Sequence, residues 1–515
     1  AHAVEQGETI AIFGDYDVDG ACSSALLGEY LEACGVKALI HIPDRITEGY
    51  GPNSAAIRDL AAQGATLLVT VDCGTTSHEP FVEARRLGLD AIVFDHHQAP
   101  EILPDAIVVN PNRQDDVSGL GALCAAGVVF VALVALHRAL RQRGFWQGRA
   151  MPDLLSSLDL VALATVADVA PLVGLNRAFV VKGLALMKSR GRPGLRALAD
   201  VAGLDGPPRA YHLGFLLGPR INAGGRIGDA ALGARLLMMQ DDIAAGLVAA
   251  ELDRLNRERQ GLEKTMLEKA LGEAYSTLGV AEEGAVVLTS GEDWQPGIVG
   301  LVASRLKERF GRPAFAIAFT GDTGAGSARS IVGVDLGRIV RKAVESGLLI
   351  KGGGHAMAAG ITIAREKLGD FRAYLEEAMR AQVALARADA SLAVDGLLSA
   401  GACTPQLMAE IEKAGPFGSA NPEPVFVLPE HKVVEVTPFG ADHLRIRLQS
   451  GDGARLDAVA FRAAEGPLGQ ALAKARGGRA HLAANLTLDH WGGKPRVQAR
   501  LLDLAFCEPG NQFKR

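Results

Sequence analysis

The chain has 515 residues, which at roughly 150 per domain predicts about three domains and excludes a single small binding module. Lys plus Arg number 53 and Asp plus Glu 59, a net charge of −6, which argues against a protein that coats a nucleic acid backbone by overall charge. The six cysteines form no CxxC pair and no Cys/His cluster, so a structural zinc site or disulfide framework is not expected and a cytoplasmic location is.

Ala1–Gly7 reads as the end of a helix, and the natural chain is expected to continue upstream of it. Thr9–Phe13 is a short apolar strand, followed by a turn-rich loop and a helix over Ala21–Cys34. Ala38–Ile42, Leu67–Val71, Ala91–Phe94 and Ile107–Val109 are further strands, with helical patterns Ala55–Ala62 and Phe81–Leu87 between them. Short β-branched runs alternating with helices predict a parallel sheet covered on both faces. The uncharged run Leu120–Leu136 falls just short of a ~20-residue membrane span and leads straight into His137 and Arg138, so it reads as a buried core helix. Ala230–Gly272 lacks proline and predicts one or two long connecting helices. A second alternating block begins near Ala285, with strands at Val286–Thr289 and Ala314–Phe319 and helices at Ile298–Phe310 and Leu336–Glu345. After the punctuation Gly415–Pro424, the tail from Val425 alternates apolar and polar residues. Its strands at Lys432–Val436, His443–Leu448, Arg455–Phe461, Arg479–Asp489 and Arg496–Leu504 predict a small OB-type barrel.

Three strands of the first block run into residues of one chemical kind. Thr9–Phe13 is followed by Asp15, Asp17 and Asp19, Leu67–Val71 by Asp72, and Ala91–Phe94 by Asp95, His96 and His97. Parallel strands share one carboxyl edge, where ligands bind, so these side chains are expected to converge. Val161–Leu172 is expected to bury Asp168 in an apolar run, where a carboxylate needs a partner. Carboxylates with imidazole and no thiolate suit Mn²⁺ or Mg²⁺, and two such ions roughly 3.5–4 Å apart would offset the crowded acids and activate water for attack on phosphorus. An EF-hand is excluded, because Leu26 stands at the twelfth position counted from Asp15. Taken alone, Asp72 could cap a helix and His96-His97 could be a solvated pair. Asp19 and Asp95 read as orienting or capping groups.

GDYDVDG, TVDCGTT, FDHHQ and ATVADVAPL, in this order, resemble the four motifs of the DHH phosphoesterase superfamily. PDRITEGYG, GPRINAGGRIGDA, GIVGLVASRL, KGGGHAMAAG and PFGSANPEPVF resemble its single-strand-specific 5′→3′ DNA exonuclease branch over essentially the whole chain. The resemblance implies an α/β fold of two α/β domains, a DHH domain with a parallel sheet and a DHH-associated domain. Long helices join them, and a C-terminal OB-fold β-barrel follows. The expected boundaries are 1–229 for the DHH catalytic domain, 230–275 for the connecting helices, 276–390 for the DHH-associated substrate-binding domain and 391–515 for the OB-fold domain. It implies Asp15, Asp17, Asp72, His96 and Asp168 as metal ligands, with Asp72 bridging, and His97 as a catalytic or metal-edge histidine. Phe13 departs from the pattern, because many relatives place a metal-binding histidine there. Gln295 departs likewise and is assigned no role.

Lys351-Gly352-Gly353-Gly354-His355 is expected to face backbone N–H groups toward a phosphate, with His355 donating to a phosphoryl oxygen. Ser327 and Arg329 are implied to hold the 5′ end, with Arg45 a second candidate for the terminal phosphate and Arg220, Asn222 and Arg226 lining the strand path. Arg254, Arg257 and Arg259, and then Arg305, Lys307, Arg309 and Arg312, read either as solvated helix faces or as a channel wall. Phe417, Phe439, Phe461 and Trp491 are the candidate base-stacking rings, each more readily a core residue.

The implied activity is degradation of single-stranded DNA to 5′-mononucleotides in repair and recombination, with one strand admitted between the α/β domains and duplex excluded. The implied partners are single-stranded DNA, single-strand-binding protein and a RecQ-type helicase, for a monomer away from membranes. The alternatives are a DHH-family oligoribonuclease, cyclic-dinucleotide phosphodiesterase or pyrophosphatase, which lack the barrel, and a scaffold that has lost its metal ligands.

Overall fold

The computed structural model describes residues 1–45, 47–279, 282–388, 391–440, 442–489 and 495–507. The chain divides into two compact units, Ala1–Ala390 and Ser391–Arg515.

The first unit opens with strands β1 (Ile10–Gly14), β2 (Ala38–His41), β3 (Leu67–Val71), β4 (Asp90–Phe94) and β5 (Ile107–Val109). They form one parallel sheet in the order β2-β1-β3-β4-β5. Gly14 pairs with Val71, Val71 with Phe94 and Phe94 with Val109, so four strands end level. β1 is apolar and buried throughout, because helices cover both faces of the sheet. One face packs on Leu26, Leu31, Val129, Leu160 and Leu163, from the helices Val18–Ala33, Ala125–Gln142 and Leu158–Ala167. The other packs on Ile57 and Phe81, from the helices Ser54–Ala62 and His78–Arg86. Phe13 lies in this second layer, 5.0 Å from the His41 ring. Ala125–Gln142 is long and apolar enough to cross a membrane by length and composition. In the fold its first two turns are buried against the helix Val18–Ala33.

The helix Asp242–Leu278, capped by the Asp241 carboxylate on Ala244 N–H, runs 37 residues, or about 55 Å. It leads into strands β6 (Val287–Gly291), β7 (Ala314–Thr320), β8 (Thr323–Arg329), β9 (Lys351–Gly354) and β10 (Ala358–Ala364), ordered β6-β7-β8-β10-β9. Only β6 and β7 pair in parallel. The helix Val299–Phe310 covers one face of this sheet, and Leu336–Glu345 and Leu368–Ala388 the other.

The glycine run expected as a phosphate-facing loop is the edge strand β9. Its glycines answer to packing: a Cβ on Gly352 would lie 2.7 Å from Val340 Cγ1, and one on Gly354, at φ 146°, would lie 2.3 Å from the Ala358 carbonyl oxygen. Gly353 faces open space.

In the second unit, β11 (Gly396–Leu397) pairs onto β12 (Phe426–Phe439). β12, β13 (His443–Gln449), β14 (Arg455–Ala460), β16 (Arg496–Phe506) and β15 (Arg479–Asp489) follow one another and close by the β12–β15 pairing. The parallel β14–β16 pair and the helix Pro467–Ala475 between β14 and β15 give the OB topology.

Candidate active site

The carboxyl edge of the first sheet gathers the expected acids. Asp17 caps the helix Val18–Ala33, its Oδ1 accepting from Asp19 N–H at 2.9 Å and Gly20 N–H at 3.1 Å. Glycine is required at position 20, since a Cβ would lie 2.4 Å from the Asp15 carbonyl oxygen. Asp72 leaves β3 at φ 62°, a left-handed conformation costly for a side-chain-bearing residue and concentrated at functional sites. His96 Nε2 lies 3.2 Å from Asp72 Oδ1 and 3.8 Å from both Asp19 Oδ2 and Asp168 Oδ2. Three overlapping donor triads result: Asp15, Asp17 and Asp72; Asp72, His96 and His97; and Asp19, His96 and Asp168. Asp72 and His96 each belong to two of them.

Asp168 departs from expectation. The helix Leu158–Ala167 ends before it and Val169 turns to φ 57°, so the Asp168 side chain is 28% exposed and faces the acidic edge rather than an apolar interior. Asp19 and Asp95 do orient and cap. Asp19 accepts from the N–H groups of Ala125 and Ala126, at 2.6 and 2.8 Å, tying down the start of Ala125–Gln142. Asp95 accepts from the N–H groups of His96, His97 and Thr75 and pairs with His97 Nδ1 at 2.7 Å.

Burial, and then Asp17, push the Asp15 carboxyl well above the usual carboxylate range. Asp72 is raised in the same way by burial and by Asp19, Asp17, Asp15 and Asp168. Burial, then Asp19 and Asp17, carry Asp168 to about 8. Acids so crowded ionise together only against compensating positive charge. Asp15 Oδ1 and Asp72 Oδ1 are buried without a hydrogen-bond partner, an expensive state that a cation relieves. The donor set of carboxylates and imidazole fits Mn²⁺ or Mg²⁺. Burial pulls His97 down, but the hydrogen bond and charge of Asp95 outweigh it and hold the imidazole at about 9, an imidazolium near neutral pH.

A cluster of arginines stands beside this edge. Arg45 lies over the Tyr16 ring at 5.1 Å. Arg226 donates to the Gly297 carbonyl at 2.7 Å, and Arg329 to Ser327 Oγ at 3.0 Å. Burial first, then Arg45, Arg259 and Arg329, lower Arg226 to about 10; burial and Arg45 lower Arg329. None of Arg45, Arg226 and Arg329 has a carboxylate partner among the described residues. Asn222 keeps Oδ1 buried and unpaired on the helix Gly218–Ile227.

Other expected contacts are placed differently. Arg220 is bound to Asp253 at 3.0 Å and to the Leu216 carbonyl, so it braces two helices. His355 is exposed at the β9–β10 turn, next to the Ala358 that pairs with Arg329, and no contact joins its ring to the acidic cluster among the described residues. The arginines read as solvated faces or a channel wall are ion-paired: on the long helix Arg254, Arg257 and Arg259 with Glu251, Asp253 and Glu263, and on the helix Val299–Phe310 Arg305 with Glu308. On the barrel, Phe439, His443 and Phe461 form an edge-on ring cluster with Arg445 over Phe439, and Phe461 is 52% exposed. Phe417 is half-buried, and Trp491 lies outside the described residues.

Tyr50, Asn110 and Asn112 were not anticipated. Tyr50 donates to the Asp72 carbonyl at 3.2 Å and stands 3.1 Å from His97 Nδ1. Asn110 and Asn112 donate to the carbonyls of His97 and His96. Both asparagines follow β5 at the same carboxyl edge, so the strand-end rule would have found them.

A parallel sheet whose carboxyl edge brings aspartates and two histidines together beside unpaired arginines defines a metal-dependent phosphoesterase. Residues 9–165 match the DHH family, N-terminal domain, residues 282–381 the DHHA1 domain and residues 394–503 the RecJ OB domain. The single-stranded-DNA-specific exonuclease RecJ of Dickeya dadantii is 37% identical over 89% of this chain and 81% of that protein, and the Escherichia coli RecJ 36% identical over 89% and 82%. A Thermus thermophilus RecJ solved in complex with Mn²⁺ superposes with TM-score 0.80 and 32% identity, over 99% of this chain and 70% of that one. The same protein has been solved with Mg²⁺. The chain belongs to the RecJ family.

Proposed function

We propose that this chain is a metal-dependent exonuclease that degrades single-stranded DNA from the 5′ end to 5′-mononucleotides, in repair and recombination. Asp15, Asp17, Asp72, His96 and Asp168 hold two divalent cations, Mn²⁺ or Mg²⁺, with Asp72 shared between them. The observation that carries this is the pair of buried oxygens on Asp15 and Asp72 that accept no hydrogen bond at one sheet edge, the latter faced by the His96 imidazole. Cations held there supply Lewis acidity, offsetting charge on a phosphodiester and making water a competent nucleophile at neutral pH.

The chain's own residues do the rest. Arg45, Arg226, Arg329 and Ser327 bind the terminal phosphate and orient the strand, and guanidinium groups without a carboxylate partner are suited to that. Asn222 and the backbone of Gly352, Gly353 and Gly354 line its path, and His355 donates to a phosphoryl oxygen. His97, oriented by Asp95, offers a proton to the departing 3′-oxygen. Residues 1–229 carry the chemistry, 230–275 connect, 276–390 hold substrate and 391–515 bind strand through the ring cluster on the barrel. Single-strand-binding protein and a RecQ-type helicase are the proposed partners of a cytoplasmic monomer, on family membership alone.

Calorimetric titration with Mn²⁺ tests the assignment. The parent chain is expected to bind the ion and Asp72→Ala to lose most of that binding; a parent that binds none contradicts it.

A further inference from the structure

The turn after β2 carries Arg45 and is closed on itself. Asp44 Oδ1 accepts from Thr47 N–H at 2.8 Å and from Thr47 Oγ1 at 2.9 Å, and the Asp44 carbonyl accepts from Glu48 N–H at 2.8 Å. Glu48 then ties the turn to its surroundings. Its Oε1 accepts from Asp44 N–H at 2.9 Å. Its Oε2 meets His41 Nε2, at the end of β2, and Asn53 Nδ2, both at 3.0 Å. Asn53 in turn caps the helix Ser54–Ala62, accepting from Ala56 N–H at 2.9 Å. Phe13, the position that departs from the family pattern, lies fully buried against the His41 ring.

Arg45 and Glu48 stand three apart, a spacing at which Arg86 and Arg254 pair with Glu83 and Glu251. Here the carboxylate is occupied by His41, Asn53 and the backbone, and no ion pair joins it to Arg45 among the described residues. The Arg45 guanidinium lies instead over the ring of Tyr16, which stands between Asp15 and Asp17 in the chain. Burial raises the Glu48 carboxyl, but the bonds from Asp44 N–H, Asn53 and His41 outweigh it and hold the group below its usual range. The side chains of His41 and Glu48 are 30% and 29% exposed, and bonds so open to water contribute little to stability. What they contribute is geometry. An arginine on an exposed turn keeps one position beside the acidic edge only if the turn is pinned, and this one is pinned to a strand on one side and a helix start on the other. Tyr50, two residues on, continues from the turn to the Asp72 carbonyl.

We propose that Glu48 is a positioning residue for the 5′ end of the strand: it pins the turn that carries Arg45 and keeps its own carboxylate off that guanidinium, so that discrimination between a 5′-phosphate and a 5′-hydroxyl end depends on it. The inference rests on the exonuclease reading, with Arg45 at the terminal phosphate, and deepens it. In this role Glu48 acts through Arg45 and touches neither phosphate nor cation. A misplacement of about 1 Å in a positioning group costs up to about a hundredfold in rate, so a loosened turn is expected to show clearly in the kinetics.

The test measures kcat/KM of the full chain, with Mn²⁺, on one single strand bearing either a 5′-phosphate or a 5′-hydroxyl. Glu48→Ala is expected to lower the phosphate-to-hydroxyl ratio about 5- to 30-fold, mostly through KM on the phosphorylated strand, and to change the hydroxyl strand far less. Glu48→Gln, which keeps an accepting oxygen for Asp44 N–H, should recover part of the ratio. Arg45→Ala/Glu48→Ala should match Arg45→Ala alone, because Glu48 acts only through the arginine. Mn²⁺ titration and a thermal melt of Glu48→Ala should match the parent, which separates the loss from a folding defect. Equal losses on both ends, an unchanged ratio, losses that multiply in the double variant, a loss of Mn²⁺ binding in Glu48→Ala, or a parent indifferent to its 5′ group overturns the assignment. Failure of the parent to hydrolyse either strand overturns the exonuclease reading instead.

Discussion

The acidic edge and the flank of the long helix treat charge in opposite ways. On the flank, Arg254 bonds Glu251 and Glu258, Arg257 bonds Asp253, and Glu263 serves both Arg259 and Arg305. At the edge, Asp15 keeps a buried oxygen without a partner, Asp72 Oδ1 has no hydrogen bond and is faced only by the His96 imidazole at 3.2 Å, and Arg45, Arg226 and Arg329 meet no carboxylate among the described residues. The lesson is that density of charge does not mark the site; missing compensation does. Buried charge left unpaired costs several kcal/mol, and a chain keeps it where a ligand brings the partner.

Removing one unpartnered acid should have the largest effect. Asp72→Asn is expected to cut single-strand hydrolysis by at least about a thousandfold while raising the melting temperature of the metal-free protein, since a buried repulsive charge is gone. Activity and a chelated thermal melt, measured together, check both signs. A fall in melting temperature would mean that the contact of Asp72 with His96 outweighs the repulsion among the acids.

Next is the arginine side. If Arg329 holds the terminal phosphate as proposed, Arg329→Ala should lose charge-assisted hydrogen bonds to it, about 2–3 kcal/mol, or roughly 30- to 150-fold in kcat/KM for 5′-phosphorylated strands. A 5′-hydroxyl strand should lose far less, and an equal loss on both ends would place Arg329 elsewhere on the path.

The metal-free protein should also respond to pH through Asp168. Its folded pKa of about 8 lies above an unfolded value near 3.8, so between those limits the folded state holds the extra proton. Stability without metal is therefore expected to fall as pH rises from about 4 to about 8, and saturating Mn²⁺ to reverse the slope. Chelated and metal-loaded melts across that range check it.

The smallest effect belongs to the paired flank. Arg254→Ala should leave both activity and melting temperature nearly unchanged, within about twofold for the rate, because exposed helix pairs contribute little. A large loss of strand binding would restore the channel wall and erase the contrast.

Much of this site was legible in the sequence, because parallel strands end on one edge and Asp15, Asp72 and His96 each follow a strand. The barrel was legible for a similar reason: two-residue alternation reports one buried face. Long-range relations were not. Nothing local says that Asp19 binds Ala125 and Ala126, about a hundred residues on, or that Asp168 stands just outside its helix. The glycines of β9 were legible as a place of close approach, but not that they stand on an edge strand with Gly352 against Val340 and Gly354 against Ala358. The flank pairs were in plain view, since Glu251-Arg254-Glu258 and Arg259-Glu263 have helical three- and four-residue spacing.

The central claim is that the unpartnered charges of the edge serve hydrolysis of a single strand from its 5′ end. Its most direct test is a single strand labelled at either end, incubated with the chain and Mn²⁺, with Asp72→Asn as control. The account predicts immediate release of labelled mononucleotide from the 5′ end, release of the 3′ label only at the end of degradation, and no release by the variant. Early release of the 3′ label, or equal release by the variant, would contradict it.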